Sequence, residues 1–214
     1  MYKRDISVVI CCAGMGTRLG IGSTKALLDI DGKPLIIRQL EQLDECDDIR
    51  IVVGYQADKV IDVARSYRQD LMFVFNYQYE TTGVGNSLYK GLLGARKYVI
   101  VMDGDVLVNP NDFKKFINHP DECICFSKSH SVNQIYLNIN NEHIVHSFLC
   151  KRTYYEWSGI AKIETKKLII EEKHVYQMLE KLLPMQGMQI RSRDIDTVDD
   201  YENALEWIKS GYED

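Results

Sequence analysis

A glycine-rich segment, AGMGTRLG, occupies residues 13–20 and directly follows a short apolar run. Glycines in such a loop let backbone N–H groups approach an anion closely, because no Cβ stands in the way. Arg18 within the segment and Lys25 just after it add fixed positive charge. The segment therefore predicts a polyphosphate-binding loop. The residues expected to contribute are Ala13, Gly14, Met15, Gly16, Thr17, Arg18 and Lys25.

Two acidic pairs, Asp103-Gly104-Asp105 and Asp194-Ile195-Asp196, each follow a strand-like run. Alternation along a strand puts both carboxylates of a pair on one face. Carboxylates from two strand ends beside a phosphate loop are typical of a Mg²⁺ site, where water and phosphate supply the other ligands. The alternative is that these are ordinary solvated loop residues. Both pairs together with the loop favour the Mg²⁺ site.

The loop fits neither of two other phosphate-binding motifs. A dinucleotide fingerprint requires a third glycine at the position of Leu19, and a Walker A loop requires Gly-Lys-Ser/Thr, which is absent here. A glycine-rich turn without a ligand remains open as an alternative. Glycosyltransferases that bind nucleotide-sugars through Asp-x-Asp and a metal are a further alternative, but a diphosphate-sugar donor does not require Arg18 and Lys25 beside the first strand.

The elements that position these residues follow from hydrophobic spacing. Strands are expected at residues 6–12, 50–54, 71–75 and 98–102, with helices between them, the third capped by Asn86. This order predicts a parallel sheet with helices on both faces. Later strands are expected at residues 123–127, 134–139, 143–148, 159–164 and 188–195, with a helix around Val175 and a last helix capped by Thr197. The predicted fold class is α/β: a Rossmann-like, mainly parallel mixed sheet flanked by helices, with a small antiparallel insertion.

Composition bounds the function classes. The 214 residues carry a net charge of −5, and 45% are hydrophobic, which is ordinary for one folded domain spanning residues 1–214. An acidic chain is a poor nucleic-acid binder, and no apolar run is long enough to span a bilayer. The six cysteines and five histidines lack zinc-ligand spacing. The expectation is reduced thiols and a cytoplasmic location.

With these motifs in view, the chain resembles the nucleotidyltransferases that make sugar nucleotides and CDP-alcohols. The resemblance rests on AGMGTRLG and on STKALLDIDGKPLI, and it covers nearly the whole chain. Thr24 replaces the usual proline before the lysine, and Cys11-Cys12 replace small aliphatic residues. Thr24, IVVGY, FNYQY, Asn86-Ser87 and DIDTVDDY resemble the branch that includes choline-phosphate cytidylyltransferase. The resemblance implies a GT-A-like nucleotidyltransferase fold, with a nucleotide-binding half at about residues 1–110 and an acceptor-binding half at about residues 111–214.

The resemblance also implies roles for individual residues. Asp105 and Asp196 would hold Mg²⁺, with Asp103 and Asp194 beside them, and Asp103 would also contact the nucleotide. Arg18 and Lys25 would act on the phosphates. The nucleobase would rest on the first-strand loop and on the segment at residues 79–87. The residues implied there are Tyr79, Gly85, Asn86 and Ser87.

The acceptor site is expected over the second half of the chain. Tyr136, Tyr154, Tyr155 and Trp157 form an aromatic group that could receive a quaternary ammonium by cation–π attraction, although packing is the alternative. Lys162 is expected to meet the acceptor phosphate. A sugar acceptor would instead call on hydroxyl-binding groups, for which Asn133, Gln134 and Asn138 are available.

The function expected from the sequence is a Mg²⁺-dependent nucleotidyltransferase, specifically a cytidylyltransferase. It would join CTP and a small phosphorylated alcohol, such as choline phosphate, to give a CDP-alcohol and pyrophosphate. Three alternatives remain open: a sugar-1-phosphate nucleotidyltransferase using UTP or another NTP, a metal-dependent glycosyltransferase, and a nucleotide-sensing domain without turnover.

Overall fold

A computed structural model of the chain describes residues 5–20, 22–130, 132, 134–168 and 171–213. Its main element is a nine-stranded sheet with the strand order β3-β2-β1-β4-β9-β6-β10-β8-β7. The strands are β1 Ile6–Cys12, β2 Ile49–Val53, β3 Leu71–Phe75, β4 Tyr98–Asp103, β5 Val106–Val108, β6 Cys123–Lys128, β7 Tyr136–Ile139, β8 Ile144–Leu149, β9 Tyr155–Glu164, β10 Met185–Gln189 and β11 Ser192–Asp194. The helices are α1 Leu35–Glu41, α2 Ala57–Tyr67, α3 Val84–Leu92, α4 Pro110–Asn118, α5 Val175–Glu180 and α6 Val198–Lys209.

The first half of the sheet is parallel, as the alternating pattern predicts. β1 pairs in parallel with β2 and β4, and β2 pairs in parallel with β3. β1 and β2 are almost continuously buried runs of Ile, Val and Cys, because helices cover both faces of a parallel sheet. One core packs Leu40 and Val60 against the sheet, and a second packs Leu88 and Met178 against its other face.

The second half of the sheet is mixed. β9 runs antiparallel to β4 and β6, and the hairpin of β7 and β8 forms the far edge of the sheet. This confirms the α/β class and the antiparallel insertion. In the part of the chain that the structure describes, no helix is both long and apolar enough to cross a membrane.

Three local expectations need correction. Residues 188–195 do not form one strand: β10 pairs with β6, whereas β11 pairs with β5 in a separate two-stranded sheet. The break follows Ile190, and the Arg191 guanidinium binds the Asp112 carboxylate at 2.8 Å between Nε and Oδ2. Asn86 does not cap α3, because the helix begins at Val84 and Gly83 occupies the N-cap position.

The third correction concerns β5 and α4, which hydrophobic spacing did not predict. The sequence does contain a helix-start signal for α4. The Asn109 side chain accepts hydrogen bonds from the N–H groups of Asn111 and Asp112, and Pro110 follows at the first helical position. Thr197, by contrast, caps α6 as expected, accepting a hydrogen bond from the Asp200 N–H.

Candidate active site

A crevice opens where β1 and β4 end, at the edge of the sheet where α/β proteins bind ligands. It contains two adjoining cavities. The larger cavity has a volume of about 490 Å³, and the smaller cavity has a volume of about 240 Å³. Both are lined by Cys11, Gly14, Arg18 and Asp105. The larger cavity is also lined by Ala13, Tyr79, Thr82, Gly83, Val84, Ser87, Asp103, Gln134, Ile135, Trp157, Gly159, His174, Val175, Tyr176, Asp194 and Asp196. The smaller cavity is also lined by Cys12, Gly16, Thr17, Thr24, Lys25, Ala26 and Gly104.

The glycine loop forms the wall of the smaller cavity. Gly16 has a φ of 63°, in the left-handed region that favours glycine. A Cβ there would lie 3.1 Å from the Ser23 carbonyl oxygen. The loop therefore folds back on the segment that carries Lys25, which places that side chain at the cavity. Met15 is exposed and lines neither cavity.

Two cations, Arg18 from the loop and Lys25 just after it, bind the predicted metal ligands. Lys25 Nζ lies 2.7 Å from Asp105 Oδ2 and also contacts Asp196 Oδ1. An Arg18 guanidinium nitrogen lies 2.8 Å from the same Asp196 oxygen. The side chain of Lys25 is 11% exposed and that of Arg18 is 63% exposed. Lys25 is thus held inside the crevice, whereas Arg18 reaches in from its rim.

The carboxylates determine the charge state of Lys25. Burial by itself lowers the pKa of its ammonium group, but Asp105, Asp194 and Asp196 raise it more, so the pKa lies above its usual range. The pKa values of the Asp103 and Asp194 carboxyls are raised, first by burial and then by neighbouring carboxylates. Negative charge is therefore costly at this edge of the sheet, and a bound cation would stabilise it.

The four predicted carboxylates meet at one edge. Asp103 ends β4, and Asp194 ends β11. The Ile195 N–H donates to the Asp105 carbonyl oxygen at 3.1 Å, which joins the two acidic segments. Gly159 makes room for Asp103, since a Cβ at position 159 would lie 2.8 Å from Asp103 Oδ2.

Asp105 and Asp196 fit a divalent cation whose other ligands come from substrate and water. Both bind one ammonium group, so the space between them already suits a positive charge. Among the described residues, no group of three or more His, Cys, Asp or Glu side chains converges as a metal cage. Mg²⁺ commonly takes only one or two protein carboxylates beside a phosphate.

The expected nucleobase residues are only partly brought together. Tyr79 and Ser87 line the larger cavity, but Gly85 and Asn86 do not. The Gly85 N–H donates to the Lys173 carbonyl at 3.0 Å. The Asn86 amide oxygen accepts from the Gly83 N–H, and its nitrogen donates to Glu171. The structure therefore does not bring Gly85 and Asn86 to the larger cavity, because their polar groups join α3 to the segment before α5.

The expected acceptor residues are likewise divided. Trp157 lines the larger cavity, whereas Tyr136 is 2% exposed and is not among its lining residues. Lys162 is fully buried and donates to the carbonyl oxygens of Phe116, Ile117 and His119 at the end of α4. The structure contradicts acceptor binding by Lys162, whose ammonium group is bonded at the end of α4, and it does not bring Tyr136 to the larger cavity.

The remaining polar and aromatic candidates also separate. Gln134 lines the larger cavity, and its amide nitrogen lies 3.3 Å from Asp196 Oδ2. Tyr154 is exposed outside the crevice, and Asn138 is exposed on β7. Tyr155 packs on Phe126, and Asn133 lies outside the described residues.

Sequence reasoning missed His174 and Tyr176, which line the larger cavity. Their rings are stacked with centroids 5.6 Å apart and planes 17° apart. Tyr176 and Trp157 both pack against Phe148, at centroid distances of 5.8 and 6.0 Å. No spacing in the sequence indicates this group, because its members come from β8, β9 and the start of α5.

Comparison with known proteins identifies the family and the fold. The family model described as a MobA-like NTP transferase domain matches residues 8–188. The bifunctional protein GlmU of Aliarcobacter butzleri is 32% identical over 112 residues, covering 51% of this chain and 26% of that protein. The chain thus spans about a quarter of that relative's length.

Two solved structures share the fold over nearly their full length. The CTP:phosphocholine cytidylyltransferase LicC from Streptococcus pneumoniae has a TM-score of 0.80 and 24% identity, covering 95% of this chain and 99% of that one. HddC from Yersinia pseudotuberculosis has a TM-score of 0.75 and 25% identity, covering 94% of this chain and 99% of that one. These likenesses agree with the nucleotidyltransferase fold expected from the sequence.

Proposed function

This chain belongs to the family of MobA-like NTP transferase domains, and from that premise we propose that it is a Mg²⁺-dependent cytidylyltransferase. The donor is CTP and the acceptor is a small phosphorylated alcohol of the choline-phosphate type. The products are a CDP-alcohol and pyrophosphate. Its six free cysteines suit the reducing cytoplasm, where we propose that it works.

The observation that carries this proposal is the charge cluster where the two cavities meet. Lys25 and Arg18, from the glycine loop, converge on Asp105 and Asp196. A triphosphate along the loop would bring its own negative charge to the two cations, while the carboxylates hold the metal. Cations, carboxylates and a glycine loop at one point suit transfer of a nucleotidyl group with loss of pyrophosphate.

The chemistry needs positioning and charge neutralisation rather than a base. An oxygen of the acceptor phosphate, already ionised near neutral pH, attacks the α-phosphorus of CTP. A new P–O bond forms while the bond to the β-phosphate oxygen breaks, and pyrophosphate departs with the electron pair. The bound Mg²⁺ would supply charge neutralisation on the phosphate oxygens.

Lys25 and Arg18 have different proposed roles, because they are buried to different extents. Lys25, held inside the crevice, lies where charge accumulates between the α-phosphate and the incoming phosphate. Arg18, exposed at the rim, binds the β- and γ-phosphates that leave. Fixed charges in a confined site stabilise the transition state without reorganising at the moment of reaction.

The aromatic wall of the larger cavity supports a cationic acceptor. Trp157, Tyr176 and His174 line it, and Asp103 and Asp194 add carboxyl groups to the same cavity. A quaternary ammonium is attracted to aromatic faces. Gln134, which lines the same cavity, favours a second candidate, a sugar 1-phosphate whose hydroxyls would bond to its amide.

A pyrophosphate-release screen tests the proposal. The purified chain is incubated with Mg²⁺, each of CTP, UTP, ATP, GTP and dTTP, and each of choline phosphate, ethanolamine phosphate and glucose 1-phosphate. We expect the highest kcat/KM for CTP with choline phosphate, and release from Asp196→Asn that is lower by about 10³-fold.

The other outcomes separate the alternatives. UTP with glucose 1-phosphate would overturn both the donor and the acceptor in favour of a sugar nucleotidyltransferase. No pyrophosphate release with any NTP, but release of a nucleoside diphosphate when a nucleotide-sugar replaces the NTP, would indicate a glycosyltransferase. Tight CTP binding without turnover for any acceptor would indicate a sensing domain.

A further inference from the structure

Asn76 lies behind the part of the larger cavity that Thr82 and Ser87 line, where the nucleobase is expected to bind. It has no part in the chemistry above. It follows β3 and is 1% exposed, and its backbone N–H donates to the Val53 carbonyl at 2.8 Å. Its side chain contacts two hydroxyls whose residues line the cavity, those of Thr82 and Ser87. A buried amide touching two lining hydroxyls can determine how they meet a ligand.

The orientation of the Asn76 amide is determined by its neighbours. Its Oδ1 accepts a hydrogen bond from the Gln78 backbone N–H at 3.2 Å, and a backbone N–H can only donate. Its Nδ2 therefore faces the hydroxyls, 3.0 Å from Thr82 Oγ1 and 2.9 Å from Ser87 Oγ. A flipped amide would set its NH₂ group against the Gln78 N–H, which would place two donors face to face.

The two hydroxyls then differ in where their own hydrogens go. Thr82 Oγ1 donates to the Gln78 carbonyl at 2.8 Å, so its hydrogen is already bonded within the protein. Ser87 Oγ accepts from Asn76, and within the described residues its own hydrogen makes no hydrogen bond. Ser87 therefore offers the larger cavity a hydrogen-bond donor.

We infer that Asn76 is a specificity-determining positioning residue: by holding Ser87 as a donor toward the nucleobase, it selects cytosine over uracil. The inference rests on the proposed use of CTP. Cytosine N3 is a hydrogen-bond acceptor, whereas uracil N3 carries a hydrogen. A donor facing N3 bonds to cytosine and opposes uracil, and discrimination by one such buried group commonly amounts to about 5- to 150-fold.

The substitution Asn76→Asp reverses the direction of the hydrogen bond to Ser87 while keeping the shape of the side chain. A carboxylate still accepts from Gln78 N–H, but it can only accept from Ser87, whose lone pairs then face N3. Binding of CTP and of UTP is measured by calorimetry at pH 8 with Mg²⁺ and without acceptor. We expect the ratio of the UTP Kd to the CTP Kd to fall at least about tenfold relative to wild type.

Two further variants separate selectivity from local structure. Thr81→Val removes a hydroxyl of the same turn that is exposed and donates to the Gln78 carbonyl at 3.3 Å, and its Kd ratio should equal that of wild type. Ser87→Ala removes the donor, so its ratio should also fall. In the Ser87→Ala background, Asn76→Asp should change the ratio no further.

Specific results overturn the inference. Equal weakening of CTP and UTP by Asn76→Asp, or a further change of the ratio in the Ser87→Ala background, would show that Asn76 acts only on the structure of the turn. If Asn76→Asp does not fold, an unchanged ratio in Ser87→Ala overturns the inference by itself. A wild-type chain that binds neither nucleotide, or prefers UTP, would overturn the proposed donor as well.

Discussion

Two buried lysines of this molecule have sharply different surroundings. Lys25 lies at the crevice, and Lys162 lies beneath α4. Both ammonium groups are largely withdrawn from water, with the Lys25 side chain 11% exposed and Lys162 fully buried. Lys25 binds two carboxylates, whereas Lys162 binds three backbone carbonyl oxygens and lies over the Phe116 ring, 5.4 Å from its centroid.

Their partners move the two pKa values in opposite directions. Carboxylates raise the pKa of Lys25 despite its burial. Burial lowers the pKa of Lys162, and none of the carboxylates that the structure describes forms a salt bridge with it. Helix C-terminal carbonyls carry only partial negative charge, so they compensate desolvation less than a full carboxylate does.

The contrast teaches that burial alone does not mark a functional lysine. Side-chain carboxylates at a cavity can release an ammonium to a phosphate and take up a metal in exchange. Backbone carbonyls at the end of α4 have no such alternative partner, because a helix end without a donor is left unsatisfied. We therefore expect Lys25 to be the reactive lysine and Lys162 to be a structural one.

The largest effect is expected when the carboxylates around Lys25 are neutralised. Asp105→Asn and Asp196→Asn should each lower kcat by about 10³-fold, because loss of a metal ligand forfeits several kcal/mol of transition-state stabilisation. Pyrophosphate release measured over a Mg²⁺ titration checks this. Full activity in either variant would remove that residue from the site.

Lys25→Met is expected to have the next largest effect. It should lower kcat by about 10²-fold with a much smaller change in the KM for CTP, because its charge matters most in the transition state. Steady-state kinetics separate the two parameters. A change confined to KM would place Lys25 in substrate binding only, and the contrast with a chemical role would be lost.

Arg18→Ala should act on binding rather than on chemistry. Arg18 is 63% exposed and is proposed to contact the leaving phosphates in both ground and transition states. We expect the KM for CTP to rise about tenfold, as for loss of one charge-assisted contact, with kcat within about threefold of wild type. A fall in kcat as large as that of Lys25→Met would contradict the division of roles.

Lys162→Met, the matched counterpart of Lys25→Met, should have the smallest effect on activity. We expect kcat/KM within about twofold of wild type but a loss of about 1–3 kcal/mol in the free energy of unfolding, since three carbonyl oxygens lose their donor. Urea denaturation at pH 7 and the pyrophosphate assay measure the two quantities. A large loss of kcat in a folded variant would show that Lys162 takes part in the reaction.

The pH dependence of stability sharpens the same comparison. The pKa of Lys162 is lower in the folded chain than its ordinary value of 10.5, so the unfolded chain binds more protons in the window below 10.5. The free energy of unfolding of wild type, relative to Lys162→Met, should therefore increase as pH rises through that window. A constant difference between pH 8 and 10 would show that burial does not depress this pKa.

Much of the scaffold was readable from local pattern. β1 and β3 have the bounds that apolar runs predict, and the glycine loop and both acidic pairs meet at one edge. These predictions succeed because β-branched apolar runs form buried strands and because parallel strands bring their carboxyl ends together. The roles of the residues at that edge stay predictions.

The expectations and the structure differ where a residue's partner is distant in the chain. Lys162 lies in a strand buried on both faces, so alternation does not reveal which face meets the crevice. Gly85 and Asn86 match the expected segment, yet their polar groups bind residues 171–173 before α5. The break between β10 and β11 depends on which strand each one pairs with.

The sequence by itself determined the elements, the glycine loop and the supply of cations and carboxylates, because these depend on residue type and on periods of two and 3.6 residues. Only the tertiary structure decided which charge meets which partner. Lys25 reaches Asp196 across 171 residues of chain, and Lys162 reaches the His119 carbonyl across 43. No local pattern carries that information, because strand order and helix packing bring these groups together. The partners alone distinguish the lysine expected to react from the structural one.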